Sequence, residues 1–178
     1  MMNRKLRKAL CNDKGTAMVE LALIAPVLAL ASIGVVDMSN AFSRKLALEQ
    51  GAQRAIEKIM QTTGDSSVQD TLKLEVLCQV NGTAETDVKC PGRLTAANVT
   101  VSYRLECSVA GSSAMTFQTS VDADAFDAFV CPTGNIEARY IQVAVTDQYK
   151  PLFPIHFATF DSSDGTYHLS ATAGMRTQ

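Results

Sequence analysis

Ala17 to Val36 is a run of 20 residues with one charge, Glu20, and from Leu21 to Val36 its only polar side chain is Ser32. A helix rises about 1.5 Å per residue, so this run covers the roughly 30 Å of bilayer hydrocarbon. Nothing downstream approaches that length, so the sequence predicts one membrane segment. At 178 residues the chain has room for one modest domain beside it. Basic residues cluster on one side of the run. Arg4, Lys5, Arg7, Lys8 and Lys14 precede it against Asp13, whereas residues 37–51 hold Arg44 and Lys45 against Asp37 and Glu49. That bias predicts a cytoplasmic N-terminus and an exported remainder. The exported part carries 11 basic against 16 acidic residues. It lacks the basic footprint of a nucleic-acid partner.

Cys11 lies on the cytoplasmic side, and Cys78, Cys90, Cys107 and Cys131 lie in the exported part. An even number there reads as two disulfides. None of the four is spaced C-x-x-C and no histidine is near in sequence, which points away from zinc. Three pairings are open. Cys78–Cys90 with Cys107–Cys131 is preferred because each closes a local loop, for about 3 kcal/mol apiece. A domain with no Trp and few aromatics has need of such staples.

After Val36 the pattern turns amphipathic. Met38, Phe42, Leu46, Ala52, Ile56, Ile59 and Met60 recur at helical steps and are expected to form one buried stripe. One helix of roughly 70 Å is predicted from about Thr16 to Gln61, with Gly64 as its C-cap. Its first half suits lipid and its second half suits packing under a head. Val68, Leu72, Val76 and Val80 favour a second helix, capped at Ser66 or Ser67 and ending at Asn81-Gly82, although Leu72, Leu74, Val76 and Cys78 also alternate. From Val99 to Cys107, and again from Ala138 to Tyr149, the period is two, as in half-buried strands. His156–Phe160 and Tyr167–Ala173 flank a turn at Asp161-Ser162-Ser163-Asp164-Gly165, reading as a hairpin. Residues 108–137 show no clear period. The expected class is α+β, a long N-terminal helix packed on a small antiparallel sheet with two disulfides. The expected segments are a leader (1–15), a transmembrane helix (16–36), its amphipathic continuation (37–62) and an exported head (63–178).

Gly15-Thr16-Ala17-Met18-Val19-Glu20-Leu21-Ala22-Leu23 follows the basic leader. Pro26 interrupts the stem, and Asp37 closes the span. This junction resembles a type IV-type prepilin, and more narrowly the TadE-like minor pilins (pseudopilins) of the tight-adherence, or Flp, pilus system. Tyr149-Lys150-Pro151-Leu152-Phe153-Pro154 and the ending Leu169-Ser170-Ala171-Thr172-Ala173-Gly174-Met175-Arg176 resemble that family's closing strands. The resemblance implies a bacterial inner-membrane protein with a periplasmic head, taking part in pilus assembly and surface adherence. It implies cleavage between Gly15 and Thr16 by a cytoplasmic-facing prepilin peptidase. It further implies that Glu20 pairs with the freed Thr16 amine and sets the stagger between subunits. A carboxylate in lipid is costly unless neutralised. The implied partners are the peptidase, other pilin subunits, the membrane assembly platform and lipid. No cofactor, metal or enzyme activity is implied. Pro26 lacks an N–H and so is expected to bend the stem.

Other motifs are weaker. His156 and His168 read as a surface pair. Asp122, Asp124 and Asp127 lack the glycine and terminal glutamate of an EF-hand loop and read as a solvated acidic loop. Asn81-Gly82-Thr83 and Asn98-Val99-Thr100 are sequons only where glycosylation machinery exists, and no catalytic motif is found. The alternatives are a domain freed by signal peptidase at Ala29-Leu30-Ala31 before Ser32, or an uncleaved signal-anchored binding domain or enzyme.

Overall fold

The structure, a computed structural model, describes residues 13–61, 68–83, 90–153 and 160–177, with side chains from residue 17 onward. Helix α1 runs Asp13–Gln61 and α2 runs Val68–Asn81. After a 3₁₀ turn at Ala96–Asn98 come β1 (Val99–Val109), β2 (Met115–Ser120), α3 (Ala123–Asp127), β3 (Asn135–Tyr149), β4 (Phe160–Asp161) and β5 (Thr166–Arg176). The chain divides into two compact units, Met1–Asn40 with Pro151–Ile155, and Ala41–Lys150 with His156–Gln178.

In the second unit all strand pairs are antiparallel, in the order β2-β1-β3-β5-β4. The alternation read from the sequence decides which side chains enter the core. Val99 and Val101 of β1 lie opposite Val145 and Val143 of β3, which in turn face Ala171 and Ala173 of β5. This sheet face meets Leu48, Ala52, Ala55 and Ile56 of α1 and Leu72, Val76, Leu77 and Cys78 of α2 in one apolar cluster. The helical reading of residues 68–81 therefore holds, and Gly82 follows at φ 68°, a backbone suited to glycine. The proposed caps at Gly64, Ser66 and Ser67 lie outside the described residues.

The stripe expected on α1 is met in part, since Ala52 and Ile56 are buried and Ile59 packs against the core. Met38, Phe42, Leu46 and Met60 are about half exposed, while Leu48, Ala52 and Ala55 are fully buried. The buried face runs through Leu48, Ala52, Ala55 and Ile56 rather than through Phe42, Leu46 and Met60. A Cβ on Gly51 would stand 2.6 Å from Val80 Cγ2, so the two helices approach too closely for a side chain there. Gly51→Val is expected to destabilise the fold by about 1–3 kcal/mol through overpacking, read as a lower denaturation midpoint.

Residues 108–137, without a clear pattern in the sequence, hold β2 and α3. Asp122 caps α3 by accepting a hydrogen bond from the Asp124 N–H at 3.1 Å. Leu105, Cys107 and Phe126 form a second, smaller apolar cluster, with Tyr103 stacked on Phe126 at 5.3 Å. Both preferred disulfides are present. Cys78–Cys90 ties α2 to the segment before β1, and Cys107–Cys131 ties β1 to the segment before β3, with Cα separations of 4.8 and 5.6 Å. Asn81 reinforces the first tie. Its amide donates to the Cys90 and Leu94 carbonyls and accepts from the Leu94 N–H, all within 3.0 Å.

Candidate functional site

Helix α1 begins before the apolar run and continues through it. Gly15 and Thr16 lie in its first turn, and Glu20 stands one turn after Thr16, so the two share a helix face. Glu20 is exposed, as is every residue from Ala17 to Ser32. An 18-residue window of α1 has a mean hydropathy of 2.3, and none of it is buried. The core helix of a soluble protein would be covered by its own chain. This helix presents its apolar surface outward, as a single-pass membrane anchor does. Pro26 sits inside α1 without ending it. Its missing N–H leaves the Ala22 carbonyl without the usual donor four residues on. Ser32 Oγ, one turn and a half later, donates to the Leu28 carbonyl at 2.7 Å.

The apolar run ends in a built polar contact within the first unit. Asp37 is 4% exposed. Its Oδ1 accepts from the Leu152 N–H at 2.9 Å and its Oδ2 from the Phe153 N–H at 3.1 Å. The sequence marks Asp37 only as the residue closing the span. Its partners lie 115 and 116 residues away.

A second acidic position, which the sequence reading does not single out, lies in the other unit. Asp147 is 5% exposed on the inward face of β3. Arg93 Nε stands 3.1 Å and Arg44 Nη1 3.9 Å from its Oδ2, while Oδ1 accepts from the Gln148 N–H. The Oδ2 contacts are ionic rather than well-directed hydrogen bonds. The Arg44 guanidinium also lies 4.8 Å over the Tyr149 ring. The available signal was a charge in an inward slot of the alternation Val143, Val145, Asp147, Tyr149.

The remaining titratable groups have local tasks. His168 Nε2 lies 2.7 Å from Asp164 and 3.6 Å from Asp161, across the β4–β5 turn, and all three are exposed. The Ser163 hydroxyl, and then its N–H, hold the Asp161 carboxyl below its ordinary value. The Thr166 hydroxyl does the same for Asp164. Those bonds are turn bonds, so the trio clasps a hairpin. His156, the other member of the expected histidine pair, lies outside the described residues. Asp127 is 3.8 Å from Arg139, whose guanidinium also meets Glu137 and the Phe129 carbonyl. These groups line an open groove with Tyr103, whose hydroxyl is raised above its usual value chiefly by burial, with Gln69 opposing and Asp127 adding. Among the described residues lining the groove the one arginine is Arg139, already engaged within the chain.

The features that set this chain apart from an ordinary small α+β domain are therefore concentrated on α1. Residues 15–56 match the TadE-like protein family. The match starts at Gly15 and ends within α1, so it covers the junction, the apolar run and the first buried turns under the sheet. The resemblance read from Gly15, Glu20, Pro26 and Asp37 agrees with it. That similarity suggests an association with Tad pili, and it is confined to residues 15–56. No curated protein and no solved structure gives a significant match.

Proposed function

We propose that this chain is a minor pilin, or pseudopilin, of a Tad-type pilus, made as a membrane-anchored precursor and drawn into a fibre after its leader is removed. The observation that carries the reading is the TadE-like match beginning at Gly15, directly ahead of an apolar stretch of α1 whose 18-residue window has none of its residues buried. In this reading residues 1–15 are a cytoplasmic leader, 16–36 the span, 37–62 its continuation and 63–178 the exported head. A prepilin peptidase cuts between Gly15 and Thr16. Glu20, on the same helix face as Thr16, neutralises the new amine in its own or a neighbouring subunit. Two charges that are costly apart in lipid then become a pair that fixes helix stagger. Pro26 gives the stem a place to bend as subunits pack. Two disulfides in the head agree with its position outside the reducing cytoplasm. Partners on this reading are the peptidase, other pilins, the inner-membrane assembly platform and lipid, and the assembled fibre serves adherence.

The test is the N-terminal sequence, by mass spectrometry, of protein isolated from its native membrane. Thr16 is expected as the first residue. A start at Ser32 would instead mean release by signal peptidase, and a start at Met1 a permanent anchor. The Glu20→Ala variant is expected to be cut normally and yet to be missing from sheared fibres. Wild-type recovery of that variant in fibres would remove the proposed pairing.

A further inference from the structure

We propose that Leu152 and Phe153 form a second membrane contact, seated in the headgroup–acyl boundary of the leaflet where α1 emerges and held there by Asp37. The proposal rests on the reading of residues 16–36 as a membrane span.

Three observations lead to it. The first is position. Asp37 directly follows the last residue of the apolar run, and its carboxylate binds the backbone of Leu152 and Phe153. That clip brings the two residues level with the end of the span, inside the same compact unit. The second is chemistry at the surface. Leu152 is 66% and Phe153 38% exposed. The helix residues just before Asp37, Val35 and Val36, are 67% and 49% exposed, so helix and loop both present apolar side chains at the end of the span. The third observation distinguishes this loop from an ordinary exposed apolar turn. Irregular backbone is costly in an apolar medium because its N–H groups lose water without gaining a partner. Pro151 has no N–H, and the next two N–H groups both donate to Asp37. Three successive residues therefore present no free donor toward lipid. Their side chains enter the interface without the penalty of an unpaired donor. Asp37 is itself buried under the loop, so its charge does not face the hydrocarbon. The occupant is lipid rather than protein because Asp37 holds the loop's apolar side chains at the end of a helix whose exposed apolar surface already requires lipid.

The chain contains no tryptophan, so single-tryptophan variants report one position each. Leu152→Trp and Leu28→Trp are made in the full-length chain and reconstituted at low density in phosphatidylcholine vesicles. Emission is compared with and without bromine on the lipid acyl chains, placed either near the headgroup or near the methyl end. Leu28→Trp is expected to be quenched most by the deep bromine. Leu152→Trp is expected to be blue-shifted and to lose most of its emission to the shallow bromine. Adding Asp37→Ala should abolish the quenching of Leu152→Trp while leaving that of Leu28→Trp intact. Quenching of Leu28→Trp alone would overturn the second contact and leave the span standing, while quenching of neither would overturn both. A blue shift of Leu152→Trp without bromine quenching would assign the loop to a protein neighbour and overturn the lipid contact. Quenching that survives Asp37→Ala would remove the clip.

Discussion

Asp147→Ala is expected to lower the stability of the head by roughly 2–3 kcal/mol, below the 3–5 kcal/mol typical of a fully buried ion pair losing one partner. The carboxylate is almost fully buried and faces two guanidinium groups, each about a third exposed. Removing it leaves two like charges beside each other against an apolar core. Their partial exposure lets them turn to solvent, which sets the discount. Arg93, at 3.1 Å, is expected to couple to Asp147 more strongly than Arg44, at 3.9 Å, which retains its seat over Tyr149. Double-mutant cycles on the detergent-solubilised chain, read from denaturant midpoints, measure both couplings. A loss below about 0.5 kcal/mol, the scale of a surface substitution, would show that Asp147 is no anchor.

The position of Asp147 illustrates what the sequence shows and what it withholds. The alternation of β3 places residue 147 inward, but which cations meet it depends on where α1 and the segment before β1 pass over the sheet. Neither is a local property. Asp37 is similar, because its span-closing place is legible while its partners lie 115 and 116 residues on. By contrast, the apolar run, the strands from Val99 and Ala138, and both disulfides followed from period, length and loop closure alone. The stripe through Met38, Phe42 and Leu46 misled for a physical reason. Hydrophobic periodicity weights large side chains, whereas helices in close contact need small ones. Gly51, Ala52 and Ala55 carry little apolar weight yet lie on the buried face beside Leu48 and Ile56. Strand β2 escaped detection because it is an edge strand exposed along nearly its whole length, so no burial alternation is imposed on it. At five residues, α3 is too short to show a period.

The two disulfides are expected to be unequal in kind as well as in size. Removing Cys107–Cys131 as a Cys107→Ser, Cys131→Ser pair releases a 24-residue separation, worth about 3.4 kcal/mol in the chain-entropy model. Removing Cys78–Cys90 releases 12, worth about 2.8 kcal/mol. Packing reverses that order. Cys78 and Cys90 belong to the main cluster, where serine pairs would bring hydroxyls into a core that also holds Leu72, Val76 and Leu94. The Cys107–Cys131 loop encloses β2 and α3, and Cys107 lies in the small cluster with Leu105 and Phe126. Loss of Cys107–Cys131 is therefore expected to open β2 and α3 locally, with hydrogen-exchange protection falling there while β3, β5 and α2 stay protected. Loss of Cys78–Cys90 is expected to lower protection across the whole core. Removing both approaches about 6 kcal/mol, which is comparable to the total stability of a small domain, so the head should fail to hold its fold under reducing conditions. Uniform loss of protection in the Cys107→Ser, Cys131→Ser variant would contradict the division into two clusters. Unchanged midpoints on reduction would show that packing alone holds the head.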